Sequence, residues 1–221
     1  MSTLCLTGWQ QPPDALSLIA PDALHLDYSA HANVASVYDL IEPHGTVFDT
    51  VIGWSLGGQI ALNLLDQGKI SCNHLVLLSV AWQLVQSREI TDATPPDILD
   101  ETIRGYRRDP AKTLEGFAPL LVMNDVDQKE LTREFLRELP SIWPSGSSWL
   151  KFLKEFSCSR LSFHDMPKRI TIIHGDADVI APVTQLGYFR EALPKADIYV
   201  IEGCAHTPHW HDPESVRRMI I

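Results

Sequence analysis

Three stretches of this chain carry residues that could do chemistry together. In Gly53-Trp54-Ser55-Leu56-Gly57 a single serine stands between glycines, with an apolar run leading in and an amphipathic run leading out. A sharp strand-to-helix turn at that point forces the central residue into a strained backbone conformation, and only glycines leave room around it. The turn lifts the Ser55 hydroxyl above the sheet edge. It also sets it at a helix N-terminus, where N–H groups and the helix dipole favour developing negative charge. That placement suits a nucleophile; the alternative is a serine N-cap on a Gly-rich turn. A hydroxyl is a weak nucleophile and needs a base. Two later loops, Gly175-Asp176-Ala177-Asp178-Val179-Ile180-Ala181-Pro182 and Gly203-Cys204-Ala205-His206, each follow a strand-like run. His206 can take the Ser55 proton while an aspartate holds the imidazole tautomer. Asp176 and Asp178 compete for that role. Asp176 follows the strand glycine directly, where it could cap or brace the loop; Asp178, in G-x-x-D-x-x-x-P, can project toward the histidine and is favoured.

An oxyanion formed at such a serine needs two N–H donors. One is expected from the backbone of Leu56, the other from Trp9 in Leu6-Thr7-Gly8-Trp9-Gln10, whose indole could equally serve core packing. His206, His209 and His211 form H-x-x-H-x-H, which resembles a metal cluster, but no second group of Cys or Asp has matching spacing. No metal and no cofactor are therefore expected. His209 and His211 are read as loop or surface residues, and His174 as a packed, hydrogen-bonded histidine.

These residues need a frame that brings them to one place. LCLTG, ALHLD, TVIGW, HLVLLS, RITIIHG and DIYVIEG read as six strands. Helical runs separate several of them: VASVYDLIEPHG, LGGQIALNLLDQG, QLGYFREAL and, at the end, DPESVRRMII with its Asp-Pro start signal. Strands alternating with helices predict a mostly parallel sheet covered on both faces. The loops after its strands then gather at one rim, where open α/β sheets hold their sites. Residues 95–165 break the rhythm with helical periodicity and no convincing strand: ILDETIRGYRR, AKTLEGFAPLLV, QKELTREFLREL and SSWLKFLKEF. So long a block between adjacent strands predicts an inserted helical cap over a core of residues 1–94 and 166–221.

The formal net charge of −10 argues against a general nucleic-acid binder. No run approaches the roughly 18 apolar residues of a membrane span. The N-terminal MSTLCLTGWQQPPD has neither a basic segment nor a long apolar one, so no signal peptide is expected. Cys5, Cys72, Cys158 and Cys204 lack paired spacing and read as small apolar residues of a reducing compartment, which predicts a cytoplasmic protein.

With its Gly8-Trp9 pair, GWSLGG elbow, GxxDxxxP loop and Ala205-His206-Thr207-Pro208, the chain resembles the α/β-hydrolase superfamily over essentially its whole length. Within it, the chain is similar to the pimeloyl-[acyl-carrier protein] methyl ester esterase family. The resemblance implies nucleophile Ser55, acid Asp178, base His206 and oxyanion donors Trp9 and Leu56. It also implies an acyl pocket that includes Phe117, Ala118, Pro119, Leu120 and Leu121. Docking of an acidic acyl-carrier protein is implied on Lys112, Lys129 and Arg133. Members begin with a strand pair before the loop that carries the glycine–tryptophan pair; here the chain starts almost at that loop, so about six strands are expected. Thr7 stands where the family has a histidine, and Gly116 where it has an arginine.

Charge adds its own weight to the docking idea. Acidic and basic residues nearly balance between Pro95 and Asp165, so most of the net charge sits on the remainder. Lys129, Arg133 and Arg137 are spaced along one helical stripe. A solvated face, with Glu130, Glu134 and Glu138 beside it, accounts for that stripe equally well. The expectation is a monomeric, cofactor-free serine carboxylesterase acting on a carrier-bound pimeloyl methyl ester. The alternatives are a free-ester carboxylesterase, a carbon–carbon bond hydrolase with the same three residues, or a non-catalytic binding module.

Overall fold

The computed structural model describes residues 2–131 and 142–220. Six parallel strands form one sheet: β1 (Thr3–Leu6), β2 (Leu24–His25), β3 (Val47–Trp54), β4 (Ser71–Leu78), β5 (Arg169–Gly175) and β6 (Asp197–Ile201). Their order is β2-β1-β3-β4-β5-β6. The inner strands are apolar along nearly their whole buried length because helices cover both faces. Alternate residues divide between two cores. Leu4, Leu6, Val51, Leu75, Leu77 and Ile172 face one way; Cys5, Ile52, Trp54, Val76, Leu78 and Ile173 face the other.

This strand order creates the site. The chain leaves β1 toward β2 on one side and leaves β3 toward β4 on the other. The loops after β1 and β3 therefore diverge and leave a crevice between them, at the strand carboxyl ends. Trp9 lies in the first of those loops and Ser55 in the second.

Helix α1 (Val34–Ile41) is capped by Asn33, whose side chain accepts the Ser36 N–H at 2.9 Å. It gives way to a 3-10 turn at Glu42–His44, where Pro43 cannot continue it. Helix α2 (Leu56–Asp66) starts immediately after Ser55. Between β4 and β5 lie α3 (Pro96–Arg108), α4 (Pro110–Phe117), a 3-10 segment (Ala118–Val122) and α5 (Gly146–Glu155). Pro96 occupies the first turn of α3, where a missing N–H costs nothing, and Arg107 and Arg108 complement its C-terminal dipole. The predicted helix QKELTREFLREL lies outside the described residues beyond Leu131, and so do Arg133 and Arg137. The chain closes with α6 (Leu186–Ala192), α7 (Pro208–His211) and α8 (Pro213–Ile220). Among the described residues no helix is long and apolar enough to cross a membrane.

Candidate active site

Ser55 has φ 53° and ψ −117°, a region in which a side chain is strained, and its side chain makes no capping bond. The N-cap alternative therefore does not describe this serine. The glycines around it are sterically required. A methyl group on Gly57 would stand 2.1 Å from the Leu6 carbonyl oxygen, and one on Gly53 would stand 2.5 Å from the Gly58 Cα. The elbow is thus pressed against β1 and against its own helix.

Asp178 and His206 meet as the sequence predicts: His206 Nδ1 lies 2.7 Å from Asp178 Oδ2, both side chains buried. The other oxygen, Oδ1, accepts the amides of Ile180 and Ala181, each at 2.9 Å. Burial pushes the Asp178 carboxyl up, but the His206 ring, the His174 ring and the Ala181 amide outweigh it and hold the group below the usual carboxylate range. An ionised Asp178 accepts a hydrogen bond from Nδ1–H of His206, which selects the tautomer with Nε2 as acceptor. Asp176 braces the loop instead, its carboxylate accepting the Gly203 N–H at 2.8 Å.

His174 is packed and hydrogen-bonded as expected, with Nε2 2.6 Å from the Ala181 carbonyl oxygen. The same nitrogen lies 3.4 Å from Asp178 Oδ2, a second histidine against that carboxylate which spacing did not reveal. Burial pushes its pKa down, against the pull of Asp178 and the Ala181 carbonyl. His209 departs from its reading as a loop or surface residue. It sits fully buried on α7, edge-on to Trp54 at 4.4 Å between ring centroids. Burial pushes its pKa down to about 3. His211, half-buried, is also no surface bystander: its Nδ1 contacts both Asp125 oxygens at 3.0 and 3.1 Å.

The loop after β1 is held from several directions. The Tyr28 hydroxyl donates to the Thr7 carbonyl. Gln10 Oε1 accepts the Trp143 amide at 3.0 Å, and Trp9 Nε1 donates to the Gly146 carbonyl at 2.9 Å. Trp9 packs edge-on against Phe117 at 5.1 Å. Its indole is therefore committed to packing, and only its backbone is left to serve an oxyanion. Leu56 opens α2, and the first amides of a helix have no partner within it. Trp54 ties the elbow to the histidine loop, its Nε1 donating to the His206 carbonyl at 2.9 Å.

Ser55 and His206 line one cavity of about 310 Å³. Trp9, Phe117, Leu120 and Leu121 line it too, whereas Leu56, Ala118 and Pro119 do not. The 3-10 winding of Ala118–Val122 explains the split, because it turns Ala118 into the core beside Val122. Residues that the sequence did not single out complete the walls, among them Ile98, Leu99 and Thr102 of α3, Met123, and Leu150 and Leu153 of α5. Helical periodicity marked Ile98, Leu99, Leu150 and Leu153 as apolar, but nothing local distinguishes a cavity wall from a core contact. Among the described lining residues none is Lys, Arg, Asp or Glu.

Elsewhere, Asp125, Cys204 and His211 bring one ligand-type atom each within 4.8 Å of one another. Those atoms are already engaged. The Asp125 oxygens accept from Ala205, Asp127 and His211, and Cys204 Sγ donates to the Ala205 carbonyl at 3.4 Å. Burial, reinforced by Asp125 and three other aspartates, pushes the Cys204 thiol up, away from the thiolate a metal would need.

A sheet of this order, with a strained serine at the β3 elbow and an Asp–His pair on the loops after β5 and β6, agrees with a family model described as the alpha/beta hydrolase family, which matches residues 5–219. The chain belongs to the alpha/beta hydrolase family. This hydrolase is 29% identical over 169 residues to the pimeloyl-[acyl-carrier protein] methyl ester esterase of Nitrosomonas europaea, which covers 75% of this chain and 67% of that one. The biotin biosynthesis bifunctional protein BioHC of Cellvibrio japonicus is 23% identical over 167 residues, and the match spans only 33% of that protein's length. The esterase EaEST of Exiguobacterium antarcticum has the same fold, with a TM-score of 0.78 at 18% identity over 99% of this chain and 89% of that one. The protein is an esterase-type hydrolase.

Proposed function

We propose that this hydrolase is a serine carboxylesterase that cleaves the methyl ester of a carrier-bound pimeloyl group, releasing methanol, in the cytoplasm. In this reading Ser55 Oγ attacks the ester carbonyl and His206 Nε2 takes its proton. The amides of Leu56 and Trp9 stabilise the oxyanion, and His206 passes the proton to the departing methanol. The methoxide–carbonyl bond breaks and an acyl-Ser55 ester forms. Water, deprotonated by His206, then releases the carboxylate. Asp178 keeps the imidazole in the tautomer that both steps use.

The observation that carries the reading is the 2.7 Å His206–Asp178 contact at the edge of an apolar cavity shared with the strained Ser55. The cavity also supports the substrate class. A chain of methylenes ending in a neutral ester can enter a lining without charged side chains. The acid formed cannot stay there without the cost of burying an unpaired charge. Cleavage would thus convert a ligand that suits the pocket into one that leaves it. The far end of the chain, tethered to its carrier, would remain outside.

In the same reading residues 95–165 are a cap that roofs the cavity. Its Lys112 and Lys129, both exposed, contact the carrier together with Arg133, which lies outside the described residues. The deciding experiment is growth of a strain lacking this esterase activity on biotin-free medium. The wild-type chain should restore growth and Ser55→Ala should not. With purified protein, Lys112→Glu with Lys129→Glu should raise KM for the carrier-bound ester and leave dimethyl pimelate hydrolysis unchanged. No growth with the wild type, together with equal rates on both esters in the variant, would favour an enzyme of small free esters.

A further inference from the structure

The block between β4 and β5 also grips the loop that carries His206. The Leu121 carbonyl accepts the His206 amide at 3.0 Å, and the Val126 amide donates to the Gly203 carbonyl at 3.0 Å. Between these two bonds the buried Asp125 carboxylate reaches in. Its Oδ2 accepts the Ala205 amide at 3.0 Å and its Oδ1 accepts the Asp127 amide at 2.9 Å. His211 Nδ1 braces both oxygens. Residues 121–127 therefore form a strap along residues 203–206, and one face of the same strap, at Leu121 and Met123, lines the cavity.

We propose that Asp125 is a positioning residue for His206, acting through the Ala205 amide, with His211 holding Asp125 in place. This inference rests on the reading of His206 as the base. Asp178 fixes the tautomer and the direction of Nδ1, but a single hydrogen bond leaves the ring free to pivot about it. What fixes the other end is the backbone at 205 and 206, and both of those amides are satisfied by the strap. At the same 3.0 Å, a bond from an amide to a carboxylate is stronger than one to a carbonyl, so Asp125 is the stiffest link. Its loss would also leave a buried amide without an acceptor. The strap gives the inserted block a role in the chemistry as well as in shaping the pocket.

The test compares Asp125→Ala, Asp125→Asn and His211→Ala with the wild type, using p-nitrophenyl butyrate turnover and amide hydrogen exchange. Asp125→Ala should lower kcat about 100-fold, as misplacement of a reacting group by an ångström does, with KM nearly unchanged. Asp125→Asn keeps an acceptor oxygen for the Ala205 amide and should recover most of that loss. His211→Ala should fall between the wild type and Asp125→Ala. Exchange at the Ala205 and His206 amides should speed up in Asp125→Ala while the amides of β3 and β4 stay protected. Unchanged kcat, a rise in KM alone, or an asparagine no better than alanine would overturn the proposal. Should Asp125→Ala fail to fold, His211→Ala decides: a lower kcat at constant KM and constant Tm supports the strap, and an unaltered kcat refutes it. Should the wild type cleave no ester at all, the base reading itself fails. Exchange at Ala205 and His206 then decides the strap alone, faster exchange in the variants supporting it and wild-type rates refuting it.

Discussion

Five residues apart on one stretch of chain, this protein makes two Asp–His pairs. His206 meets Asp178 at 2.7 Å and His211 meets Asp125 at 3.0 Å, each through Nδ1. Chemically the pairs are alike, and their surroundings separate them. His206 lines an apolar cavity beside a strained serine, so its second nitrogen faces a place where a substrate can sit. His211 does not line that cavity, and its carboxylate partner spends its other bonds on backbone amides. In the proposed function the first pair moves a proton, and in the proposed strap the second holds a loop. A histidine beside an aspartate therefore says little about function until the free nitrogen and the remaining carboxylate contacts are traced.

The comparison is broken most sharply at Asp178. Asp178→Asn keeps the size of the side chain but can leave the His206 ring in the wrong tautomer, so kcat should fall by about 10⁴-fold with little change in KM. Rapid-quench or steady-state kinetics on p-nitrophenyl butyrate would measure it. The same exchange at Asp125 should cost far less, because an amide oxygen still accepts the Ala205 N–H. Equal losses at the two positions would mean that both pairs serve the same end.

A smaller effect is expected at Trp54, which holds the His206 loop from the β3 side. Trp54 donates its indole N–H to the His206 carbonyl and packs against His209 and Trp210. Trp54→Phe keeps an aromatic ring and removes the donor. Stability should drop by about 1–3 kcal/mol from the carbonyl left without its partner and the lost volume. The loss of kcat should be several-fold, read by urea denaturation and turnover on the same preparation. A stability loss with unchanged kcat would mean that the strap alone sets the position of His206.

The division of roles also shows which features a sequence exposes. The Asp178–His206 contact was legible because each residue follows a strand, and Ser55, which follows β3, lines the same cavity as His206; β5 was bounded at Arg169 and Gly175 from its apolar run alone. Strand β4 starts at Ser71, earlier than the predicted His74, because the exposed polar Ser71 and Asn73 flank Cys72 and give no apolar run. The Asp125–His211 pair joins residues with no local relation, and the sequence contains no periodicity that could announce it. His209 was misjudged for a related reason: a polar residue in H-x-x-H-x-H reads as solvent-facing, and only the packing of α7 under Trp54 buries it. Phe117 to Leu121 were read as one pocket wall, but the 3-10 turn at Pro119 splits them between cavity and core.

His209 also yields the mildest test, since it lies between the two paired histidines and, among the described residues, has neither ring nitrogen bonded. Its pKa is pushed down to about 3 by burial, against roughly 6.5 in an unfolded chain. The folded state thus keeps His209 neutral at a pH where the unfolded chain takes up a proton. Stability from this group is full above about pH 6.5 and declines as pH falls from there toward 3, by at most about 1.4 kcal/mol per pH unit. His209→Leu removes the titrating group while keeping an apolar filling of similar length. Between pH 7 and pH 5 the Tm of this variant should fall less steeply than that of the wild type, as scanning calorimetry would show. Parallel slopes for His209→Leu and the wild type would mean that the buried ring finds a proton acceptor when the solution turns acid, and that the contrast between an unpaired and a paired histidine on this loop is smaller than the contacts suggest.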